Sequence, residues 1–380
     1  MQRLIVAGSI TFLPLALSAQ VLPDSGALVV TLGRDTIAVE RFVRTPTRFE
    51  MVGLSRVPQT RMVRMVVSWN DAGKLTAYEV LNFAPPGGRG GARIRTVGKA
   101  VGDSVEVEMS QGDGPARVRR IPGGADVPFV NPFYSAYETA ILRARANRAA
   151  TVPLLGQAGL IAYNAVWSAD TVTLTHPDFG TLRAVTDGSG HIRVLNGAGT
   201  TFKVDVRSAM APDIEALAAL FAQRDAAGRA LGLLSPRDTA QALIGGGTMK
   251  IDYGRPSVRG RVIFGDVVPW GRIWRTGANA ATQLETTRVL VIDGVIVPAG
   301  KYTLFTIPGR GRWQLVINKQ TGQWGTVYDE RQDLARIPVR TELIKEPIEQ
   351  LTITIEPTVA GGVITLSWEK TRVVVPFTVL

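Results

Sequence analysis

The chain has 380 residues, 45% of them hydrophobic and 20% charged, with 40 Gly and 22 Pro, a globular balance with ample turn material for an all-β protein. It has no Cys and only two His, His176 and His191. That excludes disulfides, thiolate metal sites and cysteine nucleophiles, and leaves almost nothing for a histidine zinc site or a Ser-His-Asp triad. The formal net charge is +11, divided as +5 over residues 248–380 and +6 over the remainder, with no block of like charge. Such an even spread reads as an Arg-rich soluble surface, not as a nucleic-acid footprint.

The first twenty residues, MQRLIVAGSITFLPLALSAQ, place Arg3 before an apolar run from Leu4 to Leu17, with the small residues Ser18 and Ala19 behind it. This layout predicts a signal peptide over 1–19, cleaved after Ala19, and a secreted or periplasmic mature protein. The run is short for a bilayer-spanning helix, no Cys follows it for lipid attachment, and no later stretch is long and apolar enough to span.

From 20 to 210 the pattern predicts an antiparallel β domain. Strands are expected at 28–32 and 36–42 around the turn Gly33-Arg34-Asp35, at 61–69 and 75–83, and at 92–97, 104–109 and 116–121. Val105, Val107 and Met109 alternate with Ser104, Glu106 and Glu108, so one face is buried and the other wet. Five more strands follow at 158–167, 171–175, 180–186, 191–195 and 201–206. Between the two series, Asn131 reads as an N-cap and Pro132 as the first residue of a helix over 132–147, with Phe133, Tyr137, Ile141 and Ala144 on one face. A curved, half-barrel-like sheet with that helix in its concave side satisfies both patterns, and is loosely similar to periplasmic half-barrel lipid carriers.

A second helix is expected over 212–227, with Ile214, Leu217, Leu220 and Phe221 as its apolar stripe. Gly228, Gly232 and Ser235-Pro236 interrupt it, which makes 211–245 a helical linker. Strands then resume at 248–253, 288–292, 300–306, 313–318, 351–356, 363–368 and 372–377, the pattern of a β-sandwich or jelly-roll-like domain over 246–380. The fold class expected is therefore mainly β, in two domains.

Several spaced motifs mark the C-terminal third. They are Tyr253-Gly254-Arg255-Pro256-Ser257, Gly260-Arg261, Ile263-Phe264-Gly265, Val268-Pro269-Trp270-Gly271 and Trp274-Arg275-Thr276-Gly277-Ala278-Asn279. Pro298-Ala299-Gly300-Lys301-Tyr302, Leu304-Phe305-Thr306-Ile307-Pro308, Asn318-Lys319, Gln323-Trp324-Gly325 and Trp368-Glu369-Lys370-Thr371-Arg372 follow. In these residues the segment from about 244 to 380 resembles a bacterial family of secreted proteins known only as domain of unknown function family 2911. The resemblance implies a secreted β domain without an assigned activity. Thr326-Val327, before Tyr328-Asp329, departs from the polar or aromatic pair expected there.

The densest polar-aromatic cluster is Tyr253, Arg255, Trp270, Trp274, Arg275, Asn279, Trp324 and Tyr328. Trp and Tyr offer flat faces for sugar rings or cations, while Arg and Asn give directional hydrogen bonds. The same residues could equally be core aromatics with arginines lying over them. Asp252, Asp266, Glu285, Asp329 and Glu330 are the candidate carboxylates for glycan hydrolysis. Asp329, Glu330 and Asp333 lack the spacing of a calcium loop and read as a solvated acidic turn. Gly188-Ser189-Gly190-His191 after Asp187 reads as a hairpin turn, and Gly87-Gly88-Arg89-Gly90-Gly91 as a flexible loop. His176 before Pro177 reads as a loop or strand-end residue. No metal or cofactor is expected.

Three functional readings stand at this point. The first is a non-catalytic binding or cell-envelope accessory protein, using a Trp/Arg face for a glycan or an anionic envelope component. The others are a cofactor-independent glycan hydrolase and a lipid carrier in the N-terminal half-barrel. The first is preferred, and catalysis is not the favoured reading.

Overall fold

A computed structural model describes residues 24–88, 93–123, 127–156 and 159–380. The expected signal peptide over 1–19 and residues 89–91 of the glycine-rich loop lie outside the described residues. The protein is mainly β, built on two large sheets of fifteen and nine strands.

In the fifteen-stranded sheet, the strands from Asp24–Leu32 to Arg117–Pro122 lie side by side in chain order. On the other flank of Asp24–Leu32 sits Asp205–Ser208, and from there the strands run in reverse order to Val127–Pro128. Every pairing is antiparallel except that of Val127–Pro128 with Thr151–Leu155. The two edge strands, Arg117–Pro122 and Val127–Pro128, are thus neighbours in sequence at opposite edges of the sheet. Five residues of chain reach at most about 18 Å, so the sheet must curl until its edges approach. It does not close into a barrel.

Helix α1 (Ser135–Ala146) fills the concave side, with eight of its twelve residues buried. It starts three positions later than the pattern predicts, because Asn131 and Pro132 lie in the preceding turn, where Phe133 N donates to Val130 O. Its cap comes from far away in sequence. Glu40, on the strand Asp35–Thr45, accepts Tyr134 N at 2.6 Å, Ser135 N at 3.0 Å and the Ser135 hydroxyl. Glu40 is fully buried, and burial pushes its carboxyl up to about 7 although those three donors oppose the shift. One turn further along, Glu138 pairs with Arg44 and accepts Ile192 N at 2.6 Å. Phe133, Tyr134, Tyr137, Tyr163 and Phe49 fill the space around the helix. A cavity of about 800 Å³ lies by the last turn of α1, lined by Lys74, Asp103, Arg143 and Asn147 among others.

Helix α2 (Ile214–Arg224) covers the opposite face of the same strands. Asp213 accepts Ala216 N at 2.9 Å as its N-cap. Ile214, Ala218 and Phe221 pack on Val39, Leu54 and Met62. Leu220, expected in the apolar stripe, is instead exposed, because positions 214, 218, 221 and 222 make the buried row. Among the described residues no helix is long and apolar enough to cross a membrane.

The nine-stranded sheet begins at Arg237–Ile244, within the stretch read as linker, and pairs there with Gly247–Gly254. That first strand is polar and mostly exposed, so it carries no strong alternating signal. The strands expected at 351–356, 363–368 and 372–377 belong to one long hairpin, Asp333–Pro357 and Gly361–Val379, bent by register shifts between Leu343, Ile348 and Thr352. Such bulges let one strand turn a corner between layers. The core beneath holds Trp313 and Trp368, both 1% exposed, and Phe264, whose ring sits 4.7 Å from Trp313 edge-on.

The two sheets meet at the turn Gly33-Arg34-Asp35. Arg34 N donates to Arg259 O at 3.0 Å, and the Arg259 guanidinium pairs with Asp35 at 2.6 Å. Gly33 has φ +58°, and a Cβ there would stand 2.2 Å from Arg259 O. Only glycine lets the turn come this close.

Candidate functional site

A cavity of about 600 Å³ opens between the two sheets, a volume within the range of small-molecule sites, which favour the seams between domains. The N-terminal side contributes two loops. Pro177, Asp178 and Phe179 follow the strand Thr171–His176, and Thr201, Phe202 and Lys203 follow Ile192–Thr200. The C-terminal side contributes Arg261, Arg272, Trp274, Arg275, Asn279, Tyr328 and the edge of Trp368. Four cationic side chains line it against one carboxylate, Asp178.

The segment carrying Trp274, Arg275 and Asn279 is held rigidly. Trp274 exchanges two backbone hydrogen bonds with Thr306, at 2.8 and 2.9 Å, and Asn279 O accepts Gly325 N at 3.0 Å. Thr276 takes φ +52° and Asn279 φ +63°. A β-branched residue rarely adopts that conformation, and Thr276 is fixed in it by bonds to Thr306 Oγ1 (3.2 Å) and from Thr282 Oγ1 (3.0 Å). The Trp274 ring stacks on Trp368 at 5.8 Å and 16°. Arg275 lies across Gly325, where a Cβ would come within 2.1 Å of its Cδ.

Among the described residues, none of these cations has an acidic partner in ion-pair range. Arg261 spends its hydrogen bonds on the carbonyls of Val258 (3.0 Å) and Ser257 (2.7 Å). Lys203 Nζ donates to Ala198 O at 2.6 Å. Among the described residues no carboxylate forms an ion pair with Arg275. Burial depresses the Arg275 guanidinium, and no acidic group opposes that shift. Burial likewise depresses Lys203, with Arg275 adding to the effect and Asp266 opposing it. The Trp368 indole Nε1–H is buried and has no hydrogen-bond partner.

Of the eight residues singled out from the sequence, the cavity gathers Trp274, Arg275, Asn279 and Tyr328. The other four stand elsewhere. Tyr253 is a core residue whose hydroxyl donates to Ile353 O (3.3 Å) and accepts Ile353 N (2.9 Å). Arg255 ties the long hairpin, through Leu351 O and Thr352 Oγ1, to Asp238 on the strand Arg237–Ile244. Trp270 is half-buried against Phe264, with Arg310 over its ring at 5.8 Å. Trp324 is 46% exposed and is not part of the cavity lining. Tyr328 offers its ring only: its hydroxyl donates to Asp333 at 2.6 Å and accepts from Arg336, and burial, then the bond to Asp333, pushes it up to about 12.

The candidate carboxylates do not converge on the cavity. Asp252 pairs with Arg237, Glu285 with Lys301, Asp329 with Arg331, and Glu330 and Asp333 both with Arg336. Asp266 lies outside the lining, within electrostatic reach of Lys203 and Arg261. Among the described residues no group of three or more His, Asp or Glu could hold a metal ion. Asp187 Oδ1 accepts Ser189 N (2.9 Å) and His191 N (3.0 Å), the signature of a closed turn at that Ser-His pair.

Lys203, Phe179 and Phe202 carry no motif that marks them as site residues. The stretch 201–206 reads as a strand, yet the strand Ile192–Thr200 ends before it and the next begins at Asp205. Lys203 therefore sits in a loop, at φ +57°.

Fold and cavity together define a two-sheet β protein with a cationic, aromatic-walled cleft between the sheets. Its C-terminal third, residues 235–377, matches the model of a family described as "Protein of unknown function (DUF2911)". No curated protein matches. Among solved structures, a β-barrel-like protein of domain of unknown function DUF1849 from Brucella abortus is 9% identical, covering 50% of this chain and 95% of that one, at a TM-score of 0.30. At that score the likeness carries no argument about fold or function.

Proposed function

We propose that this is a secreted, non-catalytic binding protein of the cell envelope that takes an anionic small ligand into the cleft between its sheets. The observation that carries the reading is Arg275, a half-buried guanidinium on the cleft wall to which no carboxylate among the described residues is paired. A buried cation without a partner is costly unless something else supplies the negative charge. Rigid aromatic walls beside it suit recognition; four of the five candidate catalytic carboxylates are paired elsewhere, and Asp266 lies outside the cleft lining. The layout of residues 1–19 supports export.

The test uses the chain without residues 1–19, titrated with acidic envelope saccharides and with carboxylate and phosphate metabolites while Trp fluorescence is followed. A saturable shift is expected, because Trp274 and Trp368 both line the cleft. It should vanish in Arg275→Gln while the circular dichroism spectrum stays unchanged. No shift from any anion, or a shift that survives Arg275→Gln, would overturn the reading.

A further inference from the structure

The cleft holds two cations from different sheets that face the same space. Lys203 comes from the N-terminal sheet. Its loop is set by Thr200, 3% exposed, whose hydroxyl accepts Phe202 N at 3.1 Å and Lys203 N at 3.2 Å. Arg275 comes from the C-terminal sheet, its stem laid in the space that Gly325 leaves open. Both line the same cavity, and Arg275 is close enough to disfavour the charge on Lys203. Like charges brought together under partial burial repel, and the single acidic side chain on the lining, Asp178, is exposed and forms no ion pair with either. Next to them the lining is apolar. Phe179 and Phe202 stack at 6.2 Å and 24°, and Trp274 stacks on Trp368, whose indole N–H is buried and unpartnered.

Resting on the cleft reading above, we infer that the ligand is an amphiphilic oxyanion: a phosphate monoester or carboxylate head shared between Lys203 and Arg275, with an apolar body on the Phe179–Phe202 and Trp274 walls. An oxyanion offers several lone pairs, so a lysine ammonium and an arginine fork can engage it together. Because its two holders belong to different sheets, the head ties the sheets together and binding stabilises the assembly.

The experiment compares hexyl phosphate, hexanoate, hexanol and inorganic phosphate on the chain without residues 1–19, by Trp fluorescence and calorimetry at 20 and 300 mM salt. Hexyl phosphate and hexanoate should bind at least tenfold tighter than hexanol, and more weakly at the higher salt. Inorganic phosphate alone should bind at least tenfold more weakly than hexyl phosphate. Lys203→Met and Arg275→Met should each weaken hexyl phosphate binding about tenfold or more, with less than additive loss in the double variant. Lys203→Arg, which keeps the charge, should retain it. Hexanol binding as tightly as hexyl phosphate, or inorganic phosphate doing so, would overturn the amphiphilic oxyanion while leaving the cleft a binding site. Failure of every compound would sink both readings. Transfer of phosphatidic acid, but not phosphatidylcholine, out of vesicles would place the head on a lipid. Binding of the soluble esters without any such transfer would place it on a free metabolite, and either result supports the inference.

Discussion

Inside the N-terminal sheet, Glu40 caps a helix and Glu138 pairs with Arg44, so each buried charged group meets a group of the same chain. In the cleft between the sheets, Lys203 and Arg261 donate to backbone carbonyls, and no carboxylate among the described residues forms an ion pair with Arg275. The same chemistry is closed in one place and open in the other. Buried ions that serve architecture are neutralised within the chain, because an unpaired one would cost several kcal/mol. Cations that stay unpaired on a cleft wall point to a partner from outside.

The largest effect that tests this contrast is at Arg44. Arg44→Met leaves Glu138 buried without its partner and should lower stability by about 3–5 kcal/mol, read from urea unfolding. A loss below about 1 kcal/mol would mean that α1 does not depend on that pair.

Next comes pH. Glu40 is raised from 4.5 to about 7 in the folded protein, so between those values the native state binds the extra proton. Stability is then fully present at low pH and falls as pH rises from about 5 towards 8, by roughly 3 kcal/mol from this one group. Unfolding measured across that range should show the slope, and Glu40→Gln should flatten it. An unchanged slope in the variant would assign the titration to another group.

Gly325→Ala should have a smaller effect on stability, about 1–3 kcal/mol, because the new Cβ meets Arg275 Cδ at 2.1 Å and Asn279 O at 2.5 Å. Ligand binding should suffer with it, since Arg275 must leave its place. Wild-type affinity in this variant would show that the position of Arg275 does not matter.

The smallest effect sharpens the contrast most. Arg275→Met should change stability by no more than about 0.5 kcal/mol, in the stabilising direction, because it removes a partly desolvated charge that faces Lys203. Thermal melts of Arg44→Met and Arg275→Met side by side then compare a closed cation with an open one. A large loss from Arg275→Met would make that residue architectural.

Period-two alternation and turn residues sufficed to read a mainly β chain in two parts with a helix in the first, and spaced motifs carried the family resemblance of the last third. These signals are local, and the hydrophobic pattern that produces them is also what folds the strands. Single positions were less legible. Arg255 and Arg275 look alike in sequence, yet one is spent on Leu351, Thr352 and Asp238 while the other lines the cleft. Trp274 and Trp324 were both plausible recognition residues, and only the first reaches the cavity.

By itself, then, the sequence determined the class of fold, the absence of cysteine chemistry, the scarcity of histidine, and the aromatic-cationic segment from Trp274 to Asn279. Tertiary structure decided that Glu40 caps a helix 95 residues away and that Lys203, more than 70 positions upstream, shares a cleft with Arg275. The reason is physical. Alternation records whether a side chain faces core or water, whereas a site between two sheets depends on which loops their docking brings together.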